Sequence, residues 1–173
     1  MRAAVADGDR RSASSGGDLV AWMQAALREA RRAETRGEVP VGAVVVVDGR
    51  IVARAGNASI ASHDPSGHAE IRALRHAARR LGSYRLLGAT VVVTLEPCIM
   101  CMGAMVHARV ARLVYGAADP KAGAAASLYS IADDHRLNHR FDVNGGIEAA
   151  TCGALLTGFF RARRGRTRTA FRR

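Results

Sequence analysis

The apolar positions of this chain fall into short blocks whose spacing switches repeatedly between helical and extended. Behind Asp18, a residue suited to capping a helix, Leu19, Trp22, Met23, Ala26, Leu27 and Ala30 recur at helical spacing, and Gly37 marks the end. Val41 to Val47 is then a continuous apolar run, as a strand covered on both faces shows. Asp48-Gly49 is a hairpin turn signal, and Ile51 to Ala55 returns as a second strand. A loop from Asn57 to Pro65 leads to His68, which opens a second helix through Ile71, Leu74 and Ala78 to Gly82. Thr90 to Leu95 reads as a buried strand. Pro97 begins a third helix that holds Cys98 and Cys101, with Met102, Met105 and Val106 behind them. Arg112 to Tyr115 is a short strand, and 116–140 is irregular. Phe141 to Ile147 holds the last strand, weakened by Gly145 and Gly146. An apolar helix over 148–164 passes through Leu155, Leu156, Phe159 and Phe160. Strands alternating with helices predict an α/β sandwich around one mixed sheet, with no internal repeat and no second domain.

Composition narrows this picture in three ways. The chain has 173 residues, enough for one domain with a substantial core, and only 5% of them are aromatic, so that core must be largely aliphatic. No apolar run matches the thickness of a bilayer, and the first residues lack a signal-peptide core. With three cysteines, this points to a reducing, cytoplasmic setting. The net charge is +11, of which residues 161–173 supply +7 through seven arginines and no acid. Such an arm suits a phosphate backbone, which the charge alone favours only slightly over a solvated tail with no specific partner. The expected organisation is a flexible extension over 1–17, one folded domain over 18–164, and a basic tail over 165–173.

The chemistry concentrates in two short runs, His68-Ala69-Glu70 and Pro97-Cys98-Ile99-Met100-Cys101. One imidazole and two thiols are ligand types that zinc prefers, and three protein ligands leave a fourth tetrahedral position open. An open position admits water, whose pKa zinc lowers towards neutrality. Glu70, two residues past His68, can face that water as a proton carrier. Two plainer readings stand beside this one. Cys152 could close a structural four-ligand site, although a lone cysteine in an apolar stretch is more often a buried core residue. A redox dithiol would explain Cys98 and Cys101 but not His68-Ala69-Glu70. His107 and His139 read as surface or hydrogen-bonding residues rather than ligands. Met100, Met102 and Met105 read as a seam between subunits in preference to core filling.

The combined pattern H-x-E with P-C-x-x-C resembles the signature of zinc-dependent base deaminases. Over roughly residues 20–164 the chain resembles the bacterial tRNA-specific adenosine deaminases of the cytidine deaminase-like superfamily. The matching stretches are Glu38-Val39-Pro40-Val41-Gly42-Ala43, His63-Asp64-Pro65, Tyr84-Arg85-Leu86, Thr94-Leu95-Glu96-Pro97-Cys98, Gly123-Ala124-Ala125, Asn138-His139-Arg140 and Phe159-Phe160-Arg161. The resemblance implies a three-layer α/β/α sandwich around a five-stranded mixed sheet, and a homodimer. It implies conversion of adenosine to inosine at the wobble position of a tRNA anticodon, usually of an arginine tRNA. By position it implies that His68, Cys98 and Cys101 hold one zinc ion per subunit and that Glu70 carries protons. It assigns Asn57 to the target nucleoside, and Asp119, Phe159, Arg161 and Arg164 to the anticodon stem-loop. Phe160 is expected in the core, Glu96 is expected to be structural, and Gly56 is expected to leave space open beside the substrate pocket. A deaminase of free guanine, cytosine or a nucleoside is the alternative.

Overall fold

The computed structural model describes residues 16–170, with side chains described as far as Arg164. The strands fall where the apolar runs lie: β1 (Gly42–Val47), β2 (Arg50–Gly56), β3 (Thr90–Leu95), β4 (Arg112–Ala117) and β5 (Asp142–Asn144). They form one mixed sheet in the order β2-β1-β3-β4-β5. The pairs β1–β2 and β1–β3 are antiparallel, whereas β3–β4 and β4–β5 are parallel. Asp48 and Gly49 both take positive φ, 49° and 73°, as a two-residue hairpin turn between twisted strands requires.

Helices cover both faces. α1 (Gly16–Thr35) and α5 (Ala149–Ala170) lie on one side; α3 (Ala69–Leu81) and α4 (Ile99–Ala108) lie on the other, with the single-turn α2 (Ser59–Ser62) in the loop after β2. Successive side chains of a strand point to opposite faces, and β1 divides accordingly. Ala43 and Val45 join Ala73, Leu74, Met102 and Met105, whereas Val44 and Val46 join Met23, Ala26 and Leu27. The three-layer α/β/α sandwich is therefore the observed architecture, and its core is built of Val, Ala, Leu and Met. No helix among the described residues is long and apolar enough to cross a membrane.

Several local expectations need correction. α1 starts at Gly16, so Asp18 lies in its first turn, and residues 1–15 of the expected extension lie outside the described residues. α4 starts at Ile99, which leaves Pro97 outside the helix and makes Cys98 its N-cap. β5 is only three residues long and ends before Gly145, which sits against the Tyr115 ring. A Cβ there would lie 2.4 Å from that ring. α5 continues to Ala170, past the expected end at 164. Met102 and Met105 are fully buried, which makes them core residues and leaves Met100 half-buried beside them. Gly56 leaves no open space: a Cβ on it would meet the Glu29 carbonyl oxygen at 2.6 Å and the Ala33 methyl at 3.0 Å. Its pair across the hairpin, Gly42, meets the α1 backbone in the same way, so both glycines let the helix seat directly on the sheet.

Candidate active site

Two helix N-termini meet beyond the end of β3. His68 is the N-cap of α3 and Cys98 the N-cap of α4. Both have extended backbone (ψ 149° and 172°), and neither side chain caps its own helix. Their side chains turn toward each other instead. His68 Nδ1 lies 3.7 Å from Cys98 Sγ and 3.5 Å from Cys101 Sγ, and the two sulfurs are 3.8 Å apart. A tetrahedral zinc with Zn–S of about 2.3 Å and Zn–N of about 2.0 Å spaces its ligands by roughly 3.8 Å between sulfurs and roughly 3.5 Å from nitrogen to sulfur. The three donors thus already stand at the corners of a zinc site. No further His, Cys, Asp or Glu among the described residues joins the group. Cys152 is buried elsewhere, on α5 against Gly116, where the sheet face under α1 closes over it. The four-ligand structural reading therefore lacks its fourth ligand.

The electrostatics of the cluster fit the same use. The neighbouring Cys101 and His68 draw the Cys98 thiol well below its ordinary value, toward the thiolate that a metal ligand needs. The Cys98 sulfur and burial push Cys101 up. The hydrogen bond to Cys98 holds the His68 imidazole above its ordinary value. The two helix N-termini add partial positive charge on the side where these anions gather.

Glu70 sits one turn into α3, only 3% exposed. Its carboxyl feels the charge of His68 and Cys98 and so adjoins the cluster without belonging to it. Burial raises its pKa, which moves the carboxyl toward the range in which it can both take and give a proton. Asn57 is buried just after β2, and its Oδ1 accepts a hydrogen bond from the Ala69 amide at 2.8 Å. An Asn from another segment thus supplies the cap that His68, turned to the cluster, does not.

Residues 18–117 match the family described as the cytidine and deoxycytidylate deaminase zinc-binding region. The chain is 49% identical over 143 residues to the tRNA-specific adenosine deaminase of Haemophilus influenzae, covering 82% of this chain and 83% of that one. It is 44% identical over 149 residues to the Bacillus subtilis protein of the same name, covering 86% and 92%. The chain belongs to the tRNA-specific adenosine deaminase family. It is a zinc-dependent deaminase. A structure determined in work on A-to-I editing by tRNA deaminases at the wobble position superposes with a TM-score of 0.76 at 46% identity, over 79% of this chain and 99% of that one. Guanine deaminase from Bacillus subtilis is more distant, with a TM-score of 0.54 and 37% identity over 57% of this chain and 63% of that one.

The remaining family positions are dispersed. Asp119 is half-buried; its Oδ1 accepts from the backbone N–H groups of Lys121 and Ala122 and so shapes its own turn. Phe159 is buried at the end of α1, near Glu34 and Gly37, with the Arg163 guanidinium 5.3 Å from its ring centre. Phe160, expected in the core, is 44% exposed. Arg161 and Arg164 are exposed on the same helix. His139 accepts no metal role: its Nε2 contacts the Val110 carbonyl at 2.7 Å.

Two buried carboxylates frame the site. Glu96 accepts from the backbone N–H groups of Asp119, Ala125, Ala126 and Ser127 and from the Ser127 hydroxyl, and so pins the loop over 119–127 beside Cys98. Gly123 fits because any Cβ there would lie 2.3 Å from the Glu96 carboxyl carbon. The expected structural role of Glu96 is met in this form. Glu38 was missed as a site-shaping residue: it is 1% exposed and accepts from the amides of Ile60 and Ala61, which caps α2 in the loop that leads to His68. In the sequence it stands only as the acid that opens the matching stretch Glu38-Val39-Pro40-Val41-Gly42-Ala43, with no role assigned to it.

Proposed function

We propose that this protein deaminates adenosine to inosine at the wobble position of a tRNA anticodon, with an arginine tRNA as the substrate. The single observation that carries the reading is the set of His68, Cys98 and Cys101 donors at zinc-ligand spacing with Glu70 beside them, in a chain 44–49% identical to proteins named for this activity.

The reaction replaces the exocyclic amine of the base with oxygen: adenosine and water give inosine and ammonia. His68, Cys98 and Cys101 would hold the zinc ion, which, when bound, supplies the Lewis acidity that makes water a nucleophile at neutral pH. Glu70 takes the proton from that water, passes it to a ring nitrogen of the base, and then assists the departing amine. The burial that raises its pKa favours both halves of that transfer. Asn57 meets the target nucleoside while it anchors the start of α3. Asp119, Phe159, Arg161 and Arg164 meet the anticodon stem-loop, with the basic segment 165–173 extending the same contact. The domain over 18–164 works as a homodimer in the cytoplasm, where its tRNA is.

Similarity to guanine deaminase supports a second reading, deamination of a free base. Incubation with anticodon stem-loop RNA and, separately, with free bases distinguishes the two. Inosine in the RNA is the expected result, and ammonia released from free bases alone would overturn it.

A further inference from the structure

Between Glu70 and Glu96 the chain contains no acidic residue, yet it carries five arginines, one histidine and one tyrosine. The structure sorts these by location. Arg72 and Arg75 are engaged: Arg72 donates to the Gly56 carbonyl, and Arg75 lies 3.7 Å from the Asp64 carboxylate. The others are not. His76, Arg79 and Arg80 lie on the exposed side of α3, three and four residues apart, so they share one stripe of the helix. His76 Nδ1 lies 3.2 Å from the backbone carbonyl of Arg54, which ties the stripe to the edge strand β2. Just past the helix, Tyr84 is 71% exposed and the Arg85 guanidinium lies 5.5 Å from its ring centre. Arg79 and Arg80 have no carboxylate partner among the described residues.

Cations at the end of a helix complement its dipole, and Arg79 and Arg80 have that position. The dipole does not account for an aromatic ring left in solvent beside a guanidinium just past the helix. On α1, by contrast, acids interleave with the arginines, and Arg32 pairs with Glu29. An acid-free cationic stripe that ends in an exposed, cation-flanked ring matches a polyanion with stacking bases.

We propose that His76, Arg79, Arg80, Tyr84 and Arg85 form a second RNA-binding surface that holds the phosphate backbone of the tRNA outside its anticodon loop. This rests on the function proposed above. The argument for a remote contact is geometric. α3 starts at the zinc ligands and is 13 residues long, so its far end and Tyr84 lie about 20 Å from the reaction centre. Phosphate contacts of this kind position a nucleic acid without reading its sequence. The surface thus adds affinity for the whole tRNA and leaves the choice of base to the zinc pocket.

The experiment measures binding and inosine formation for wild type and for Arg79→Gln/Arg80→Gln, on full-length tRNA and on the isolated anticodon stem-loop, across a series of KCl concentrations. Two lost phosphate contacts flatten the salt slope on full-length tRNA by about 1.4–1.8 and weaken binding roughly tenfold at moderate salt. The stem-loop is bound and deaminated as by wild type. Tyr84→Ala weakens full-length tRNA several-fold, and Tyr84→Phe restores it. An equal loss on both RNAs, no loss on either, or a changed oligomeric mass would overturn the proposal; the last would make this face a contact between copies. Wild-type protein that binds tRNA but forms no inosine on either RNA contradicts the proposed function instead, while the binding series still tests the surface.

Discussion

Asn57 accepts a hydrogen bond from the backbone N–H of Ala69, 2.8 Å away, and Ala69 is the one residue between a zinc ligand and the proton carrier. The residue assigned to the substrate therefore also fixes the turn on which His68 and Glu70 stand. Asn57→Ala removes the cap and costs about 1 kcal/mol of stability together with activity. Asn57→Asp keeps an acceptor for the Ala69 amide. It retains thermal stability and bound zinc and loses activity through the missing amide donor. Melting temperature, zinc content and inosine formation measured on the two variants separate the roles.

Glu70 lies outside the donor cluster, so it is expected to be dispensable for the metal and indispensable for turnover. Glu70→Gln preserves the zinc stoichiometry and RNA affinity and lowers the rate of inosine formation by at least about a hundredfold. Atomic emission on the dialysed protein and single-turnover kinetics check both halves. Loss of zinc with loss of activity would make Glu70 a ligand instead.

The Glu96 carboxyl gives a pH prediction. Burial alone would raise its pKa, but hydrogen bonds from Ser127, Asp119 and Ala126 outweigh burial and hold it below the ordinary value. A carboxyl lowered on folding adds stability above its unfolded pKa of about 4.3 and loses it as the pH falls through the folded value. Glu96→Gln is therefore less stable than wild type at pH 7, by about 2 kcal/mol, and the gap narrows below pH 4. Urea midpoints of the two proteins at matched pH test this, since effects common to both cancel in the difference.

Close seating of α1 on the sheet predicts a cost for any side chain at Gly56. The added methyl of Gly56→Ala meets the Glu29 carbonyl and destabilises the fold by about 1–3 kcal/mol, which lowers Tm by several degrees. It leaves the zinc ligands in place, because the clash is on the opposite face of the sheet from them. Unchanged stability would mean that α1 shifts freely.

Much of this molecule could be read from residue order because the strands are short apolar runs bounded by turn chemistry. β3 falls on Thr90–Leu95 as the run predicts, and Gly82 ends α3 in the left-handed conformation that its position suggests. The zinc donors were legible because two ligand types recur at fixed spacing. Features that depend on segments far apart were not. α2 is a single turn without apolar periodicity, and Glu38, more than twenty residues before it, caps it. Phe159 and Phe160 are neighbours about 100° apart on one helix. Which of them is buried depends on how α5 lies against α1, and that is a tertiary fact. The fit of Gly123 against Glu96 likewise appears only when β3 and the loop after β4 are brought together.

The central claim is a zinc centre with three protein ligands, and X-ray absorption at the zinc edge tests it most directly. The account predicts two sulfur neighbours at about 2.3 Å and two nitrogen or oxygen neighbours at about 2.0 Å, of which the chain supplies only the His68 nitrogen. Three sulfur neighbours, or no zinc retained by the purified protein, would contradict it.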